Sequence, residues 1–253
     1  MTCAGTSSSS QARLRPSNDA MGSQFSQHPV LKVWNALLRL PLDVIKEIAA
    51  RLRRSVRDHL LTAPFTNDTL RRAVQDYLAG GYRKKQIVAT YGDIGHWDVS
   101  SVTDMSRMFE EASSFNQPLN NWDVSNVKNM AWMFSGASSF NQPLNNWGVS
   151  NVTNMSYMFH EASSFNQPLN NWDVSNVTTM SSMFAFASSF NQPLNNWNVS
   201  NVIDMTWMFC EASSFNQPLN YWYIRYATYL RYMFAGATSF NQPLHAPWYP
   251  ISY

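Results

Sequence analysis

"WDVSNVKNMAWMFSGASSFNQPLNN", residues 122–146, is written six times in this 253-residue chain with only local changes. Copies begin at Trp97, Trp122, Trp147, Trp172, Trp197 and Trp222, a strict period of 25 residues. With Trp as position 1, apolar side chains recur at positions 1, 3, 6, 9, 12, 13, 16, 19 and 23. In the second copy these are Trp122, Val124, Val127, Met130, Met133, Phe134, Ala137, Phe140 and Leu144. Trp122 and Val124 alternate as a short strand does. Met130, Met133, Phe134 and Ala137 follow the i, i+3, i+4, i+7 spacing of one helix face. Pro143 then stops a helix, and Asn141-Gln142 supply turn chemistry. One copy cannot bury nine apolar side chains against itself, whereas copies stacked in register can. The expected fold class is therefore an α/β repeat solenoid, a right-handed coil of short parallel strands and short helical segments. Strands are expected at each Trp and a helical turn at each Met-x-x-Met-Phe. A small helical N-terminal region should precede the array.

The chain outside the repeats divides by composition. Residues 1–28 read as a Ser-rich disordered leader without the apolar stretch of a secretory signal. Residues 29–64 read as helical, with one stripe of Val30, Val33, Trp34, Leu37 and Leu38. A second stripe, Val44, Ile45, Ile48, Ala49 and Leu52, follows Pro41, which suits a first helical turn. Residues 65–96 read as a helix capped by Thr66 or Asn67 and covering the end of the array, then a lead-in strand. Ile94-Gly95-His96 fills the place that Leu-Asn-Asn holds before later Trp residues. Six copies fill 97–246, the last Tyr-rich and degenerate, and 247–253 form a tail. Charge is split along the chain: 14 Lys/Arg against 7 Asp/Glu in residues 1–96, and 4 against 9 in residues 97–253. Two parts with different partners are the natural reading.

Residues 65–244, with their "YGDIGHWDVSSVTDMSRMF" entry, resemble the BspA-like leucine-rich repeat family in its W-D-V-S-N-V-T-x-M-x-x-M-F branch. The resemblance implies a leucine-rich-repeat-like solenoid and a role in binding or adhesion without a reaction. One departure is visible: Val127 stands where the ladder asparagine of L-x-x-L-x-L-x-x-N would be. Upstream, "LPLDVIKEIAARL", Leu40 to Leu52, resembles the start of an F-box. That resemblance implies docking of Leu40, Pro41, Val44, Ile45, Ile48 and Leu52 on the adaptor of a cullin–RING ubiquitin ligase.

His28, His59, His96, His160 and His245 show no metal spacing with one another or with Cys3 and Cys210, so no metal is expected. No phosphate-cradling glycine motif is present, and no cofactor is expected. Cys210 has no neighbouring His in sequence and reads as an incidental thiol. The basic runs Arg51–Arg57 and Arg83–Lys85 read as solvated helix faces, so nucleic acid is not an expected partner. No apolar run spans a bilayer.

Candidate binding residues line the polar side of the expected strands. Position 2 supplies Asp98, Asp123, Asp173 and Asn198, and position 4 supplies Ser100, Ser125, Ser150, Ser175 and Ser200. Position 25 supplies Asn121, Asn146, Asn171 and Asn196. On the other side, Trp132, Tyr157, Trp207 and Tyr232 at position 11 are candidate interface anchors. The expected function is a non-catalytic protein–protein interaction module that holds a protein ligand on its solenoid. The alternatives are an F-box-type substrate receptor and a BspA-like surface adhesin. An intracellular, cytoplasmic location is expected, with cell surface and organelle left open.

Overall fold

The computed structural model describes residues 40–224 and 229–243, with no side-chain description for residues 53–62. The expected leader at 1–28, the stripe from Val30 to Leu38, Arg225 and Tyr226 of the last copy, and the tail at 247–253 lie outside the described residues. The chain divides into two compact units, Met1–Leu60 and Leu61–Tyr253.

Helix α1 (Leu42–Thr62) occupies most of the described part of the first unit. Pro41 precedes it, and Asp43 stands in its first turn, where the free amides favour an anion. Arg51 and Glu47 pair at 2.9 Å one turn apart.

In the second unit, α2 (Asn67–Leu78) starts at Thr66 through a reciprocal capping box with Thr69. Its buried face is Leu70, Ala73, Val74 and Tyr77. Residues 81–91 form helix α3 (Gly81–Tyr91), followed by a single 3-10 turn, Ile94–His96. The lead-in strand expected before Trp97 is thus replaced by a helix and a turn. The physical reason lies in its ends: Gly80, Gly81 and Gly92 take φ of 70°, 52° and 73°, which punctuate a helix cheaply only at glycine. Between them Ile87, Val88 and Tyr91 pack on the core from one helical face. Phe65, Tyr77 and Tyr91 close over Trp97, with ring centroids 5.2, 5.9 and 6.2 Å away.

The six copies lie in register as successive rungs. Neither a strand at each Trp nor a helical turn at each Met-x-x-Met-Phe is found among the described residues. Trp-x-Val leads into a tight turn, in which the Val127 amide donates to the Val124 carbonyl at 2.9 Å. The parallel bridges fall instead at position 8, linking Asp104, Asn129, Asn154, Thr179, Asp204 and Tyr229. Met-x-x-Met-Phe is a ribbon of overlapping three-residue turns, such as Met133 to Met130 and Ser135 to Trp132, both 3.2 Å. Position 11 has left-handed φ in every rung (Arg107 58°, Trp132 62°, Tyr157 59°, Ser182 53°, Trp207 63°, Tyr232 57°). Position 15 does the same, from Glu111 at 58° to Gly236 at 71°.

These left-handed residues turn alternate peptide groups the same way. The amides of Met130, Trp132, Phe134 and Gly136 donate at 2.8–2.9 Å to the carbonyls of Asn154, Ser156, Met158 and His160 in the next rung. A continuous helix would have turned those amides along its own axis, leaving none for the neighbour.

Inside, all nine apolar positions of the second to fifth rungs are buried. Phe109, Phe134, Phe159, Phe184, Phe209 and Phe234 stack at 5.4–5.7 Å with planes within 6° of parallel. A second Phe column runs from Phe115 to Phe240 at 5.9–6.1 Å. The Trp147 indole donates to the Leu119 carbonyl at 2.9 Å, and every later Trp repeats this bond. Trp122 uses the Ile94 carbonyl in the same way.

Two consequences can be measured. Phe159→Ala, at a side chain with no exposure, should cost about 3–5 kcal/mol in urea unfolding; an unchanged midpoint would contradict this packing. Gly136→Ala should cost about 1–2 kcal/mol from its left-handed backbone. Its new methyl would also meet the Glu111 carboxylate at 2.7 Å. Adding Glu111→Ala should recover only the contact part.

Candidate functional site

The polar residues named from sequence do form rows, but most of them serve the turns. Asp98, Asp123, Asp173 and Asn198 each accept the amide two residues on, from Ser100, Ser125, Ser175 and Ser200, at 3.0–3.2 Å. These are Asx turns closing Trp-x-Val-Ser. The carbonyls of Ser100, Ser125, Ser150 and Ser175 accept the side-chain amides of Asn126, Asn151, Asn176 and Asn201 at 2.7–2.8 Å. Asn146 and Asn196 donate backbone amides to Asn120 and Asn170 of the preceding rung. Asn121 and Asn171 are exposed. The strand face on which these residues were expected is therefore a row of turns, in which the exposed Asp and Asn side chains also accept a backbone amide. The Ser125 and Ser175 bonds hold the Asp123 and Asp173 carboxyls below their ordinary range.

The opposite side, formed by the turn ribbon, is built differently. Its position 11 row starts with Arg107, whose guanidinium lies 4.8 Å from the Trp132 ring centre. Trp132 and Tyr157 stack at 3.9 Å with planes 6° apart. Ser182 follows, 5% exposed, and then Trp207 and Tyr232 at 4.7 Å. Arg231 lies 4.9 Å over Tyr232. Beside this row runs position 15: Glu111, Gly136, Glu161, Phe186, Glu211 and Gly236. Phe186, Trp207 and Tyr232 are exposed by 41–48%. Sequence spacing pointed to the aromatic row but not to the position 15 row. The available signal was glycine at 136 and 236, alternating with glutamate at the same position, which marks left-handed backbone.

Between the rows, His160 Nδ1 lies 3.5 Å from the Ser135 hydroxyl and 3.7 Å from a Glu161 oxygen. Both neighbours share one ring nitrogen, and Ser135 is 2% exposed, so this is not a relay aimed at a substrate. Burial lowers the His160 pKa, although Glu161 and Glu111 pull it up. Cys210, which has no His beside it in sequence, is buried, and burial followed by Glu211 pushes its thiol pKa up. Among the described residues no group of His, Cys, Asp and Glu gathers as a metal site would require.

A family model described as "Mycoplasma protein of unknown function, DUF285" matches residues 81–188 and 167–249. The chain belongs to the DUF285 family. The DUF285 match covers the rungs and the helix before them, in agreement with the BspA-like repeat resemblance, and begins after the F-box-like segment. No curated protein and no solved structure matches this DUF285 chain. No helix among its described residues is long and apolar enough to cross a membrane. In and just before α1, Leu40, Leu42, Val44 and Leu52 are exposed by 36–66%, Pro41 is exposed, and Ile45 and Ile48 are half-buried.

Because the folded carboxyls of Asp123 and Asp173 titrate low, their contribution to stability is complete above the unfolded carboxyl range. It is lost as pH falls through the lowered folded values. Asn198 performs the same turn bond without charge. Asp123→Asn with Asp173→Asn should therefore leave the neutral-pH melting temperature nearly unchanged and shrink its decline between about pH 5 and pH 2. Thermal melts across that range check it.

Proposed function

We propose that this protein is a non-catalytic protein-interaction module whose contact surface is the turn ribbon of its repeat stack. The observation that carries the reading is where the six copies differ. Phe at positions 13 and 19, Asn-Gln-Pro-Leu at 20–23 and Trp at 1 are identical in all six. Position 11 reads Arg, Trp, Tyr, Ser, Trp, Tyr, and position 15 reads Glu, Gly, Glu, Phe, Glu, Gly. Framework positions repeat because every rung must stack on the next. Outward positions, which add no side chain to the buried core, are those that can be adapted to a ligand. Exposed Trp and Tyr are the side chains that give much contact area at small entropic cost. A leucine-rich-repeat-like solenoid is the fold class that this reading assumes.

A second reading concerns the first unit. The exposed Leu42, Val44 and Leu52 on α1 favour a separate docking partner there, and the F-box-like order of Leu40 to Leu52 suits a ubiquitin-ligase adaptor. The chain would then be a bivalent adaptor.

A photo-crosslinking residue placed at Tyr157 or Trp207, in cells of the native host, should trap the same protein. The same residue at Ser125 or Ser175 should not. With that protein purified, Trp207→Ala should weaken the complex about tenfold or more, as loss of an aromatic anchor does, with circular dichroism unchanged. Trapping only from the serine side would overturn the ribbon assignment.

A further inference from the structure

The position 15 carboxylates recur in every second rung, at Glu111, Glu161 and Glu211. Their backbones share one conformation, with φ of 58°, 57° and 56°, so the side chains leave the ribbon in one direction. At two of the three steps glycine follows: Glu111 lies against Gly136 of the next rung, and Glu211 against Gly236, where a Cβ would collide with the carboxylate. Glu161 is followed by Phe186. Among the described residues neither Glu111 nor Glu211 has a cationic partner. Glu161 has only His160, whose lowered pKa leaves it neutral near pH 7. Alongside run the position 11 rings, and the chain itself shows which group suits them: Arg107 and Arg231 each lay a guanidinium on a ring. Ser182, in the middle of that row, is 5% exposed. The surface therefore offers rings and uncompensated carboxylates in parallel rows.

Spacing narrows the partner further. Parallel-bridged rungs lie about 4.8 Å apart, so alternate rungs repeat at about 10 Å. A polyproline II chain advances about 9.3 Å in three residues and returns to the same face at each third residue. A β-strand covers a similar distance in three residues but presents residues i and i+3 on opposite faces. We infer that the ribbon face binds a basic segment in polyproline II conformation with arginine at every third residue. Its guanidinium groups pair with Glu111, Glu161 and Glu211 and lie against the Tyr157 and Trp207 rings, which flank Ser182; Trp132 already lies between Arg107 and Tyr157. This rests on the ribbon being the contact face and adds the chemistry of what it contacts.

The test uses the full chain and two acetylated, amidated twelve-residue peptides of equal composition. One is four repeats of Pro-Pro-Arg; the other has its four arginines contiguous. Binding is followed by isothermal titration at low salt. The spaced peptide should bind about tenfold more tightly than the contiguous one, the ratio expected when several weak ion pairs are met in register. Glu111→Gln with Glu211→Gln should weaken it about fivefold. Asp68→Asn with Asp93→Asn, which removes the same charge elsewhere, should leave it unchanged. Equal binding of the two peptides, equal losses in the two double variants, or no binding of the spaced peptide would each overturn the inference. If crosslinks from Tyr157 and Trp207 still trap a protein in that event, the contact face stands and only the partner chemistry is wrong. If the spaced peptide binds as described and no protein is trapped, the reverse holds.

Discussion

Everything in the array depends on one feature: peptide groups 8–9, 10–11, 12–13 and 14–15 of each rung point their amides toward the next rung. That alignment needs a left-handed residue at positions 11 and 15, and in ten of twelve cases the residue is not glycine. Each such residue costs about 1–2 kcal/mol. Each rung-to-rung hydrogen bond returns about 1 kcal/mol net, and at least six backbone bonds cross every junction, these four and others such as Lys128 to Thr103 and Ser139 to Ser113. The ladder thus offsets the backbone strain. The net stability must then come from what the ladder holds in place, the two Phe columns and the Trp row, at about 1.5–3 kcal/mol for each buried large side chain.

Polar ladders complete the register. Asn141, Asn166, Asn191 and Asn216 each donate a backbone amide to the side-chain oxygen of the asparagine one rung earlier, at 2.9–3.0 Å. The Gln that follows each of them donates to the same oxygen at 2.9–3.0 Å. This row sits at position 20, away from the site at which leucine-rich repeats place their asparagine. At that site Val127 is wholly buried. These bonds connect position to position across 25 or 26 residues, so a slipped register would lose all of them together. Stacking duty thereby holds most of each copy constant and leaves the ribbon's outward residues free to differ.

The ends of the ladder are unequal. At the first rung, the Asn67 side chain accepts the Thr103 and Asp104 amides at 2.9 and 3.2 Å, and Arg71 donates to the Ser106 carbonyl at 2.8 Å. Helix α2 is therefore a polar cap as well as an apolar lid. At the sixth rung the ring of Phe240 is only partly buried, and Tyr221, Tyr223, Tyr229 and Tyr232 are exposed by 48–80%.

The sequence by itself determined the period, the rung boundaries and the inward-facing residues, because a side chain repeated every 25 residues and always apolar has few places to go. It also showed the start of α2, at Thr66 or Asn67, and the aromatic row at position 11. It did not determine what kind of backbone carries them. Met130, Met133, Phe134 and Ala137 have helical spacing, and Trp122 with Val124 has strand spacing, yet neither element forms. Both patterns describe which side chains point inward, and a ribbon of turns satisfies the same pattern. The choice was made by neighbouring rungs, whose carbonyls reward a left-handed Trp132 or Tyr157 that no local propensity favours. Asp98, Asp123 and Asp173 also serve as turn acceptors, through a local bond to the amide two residues on. The tertiary setting also made the position 15 row legible, since only a stacked neighbour shows Glu111 lying against Gly136.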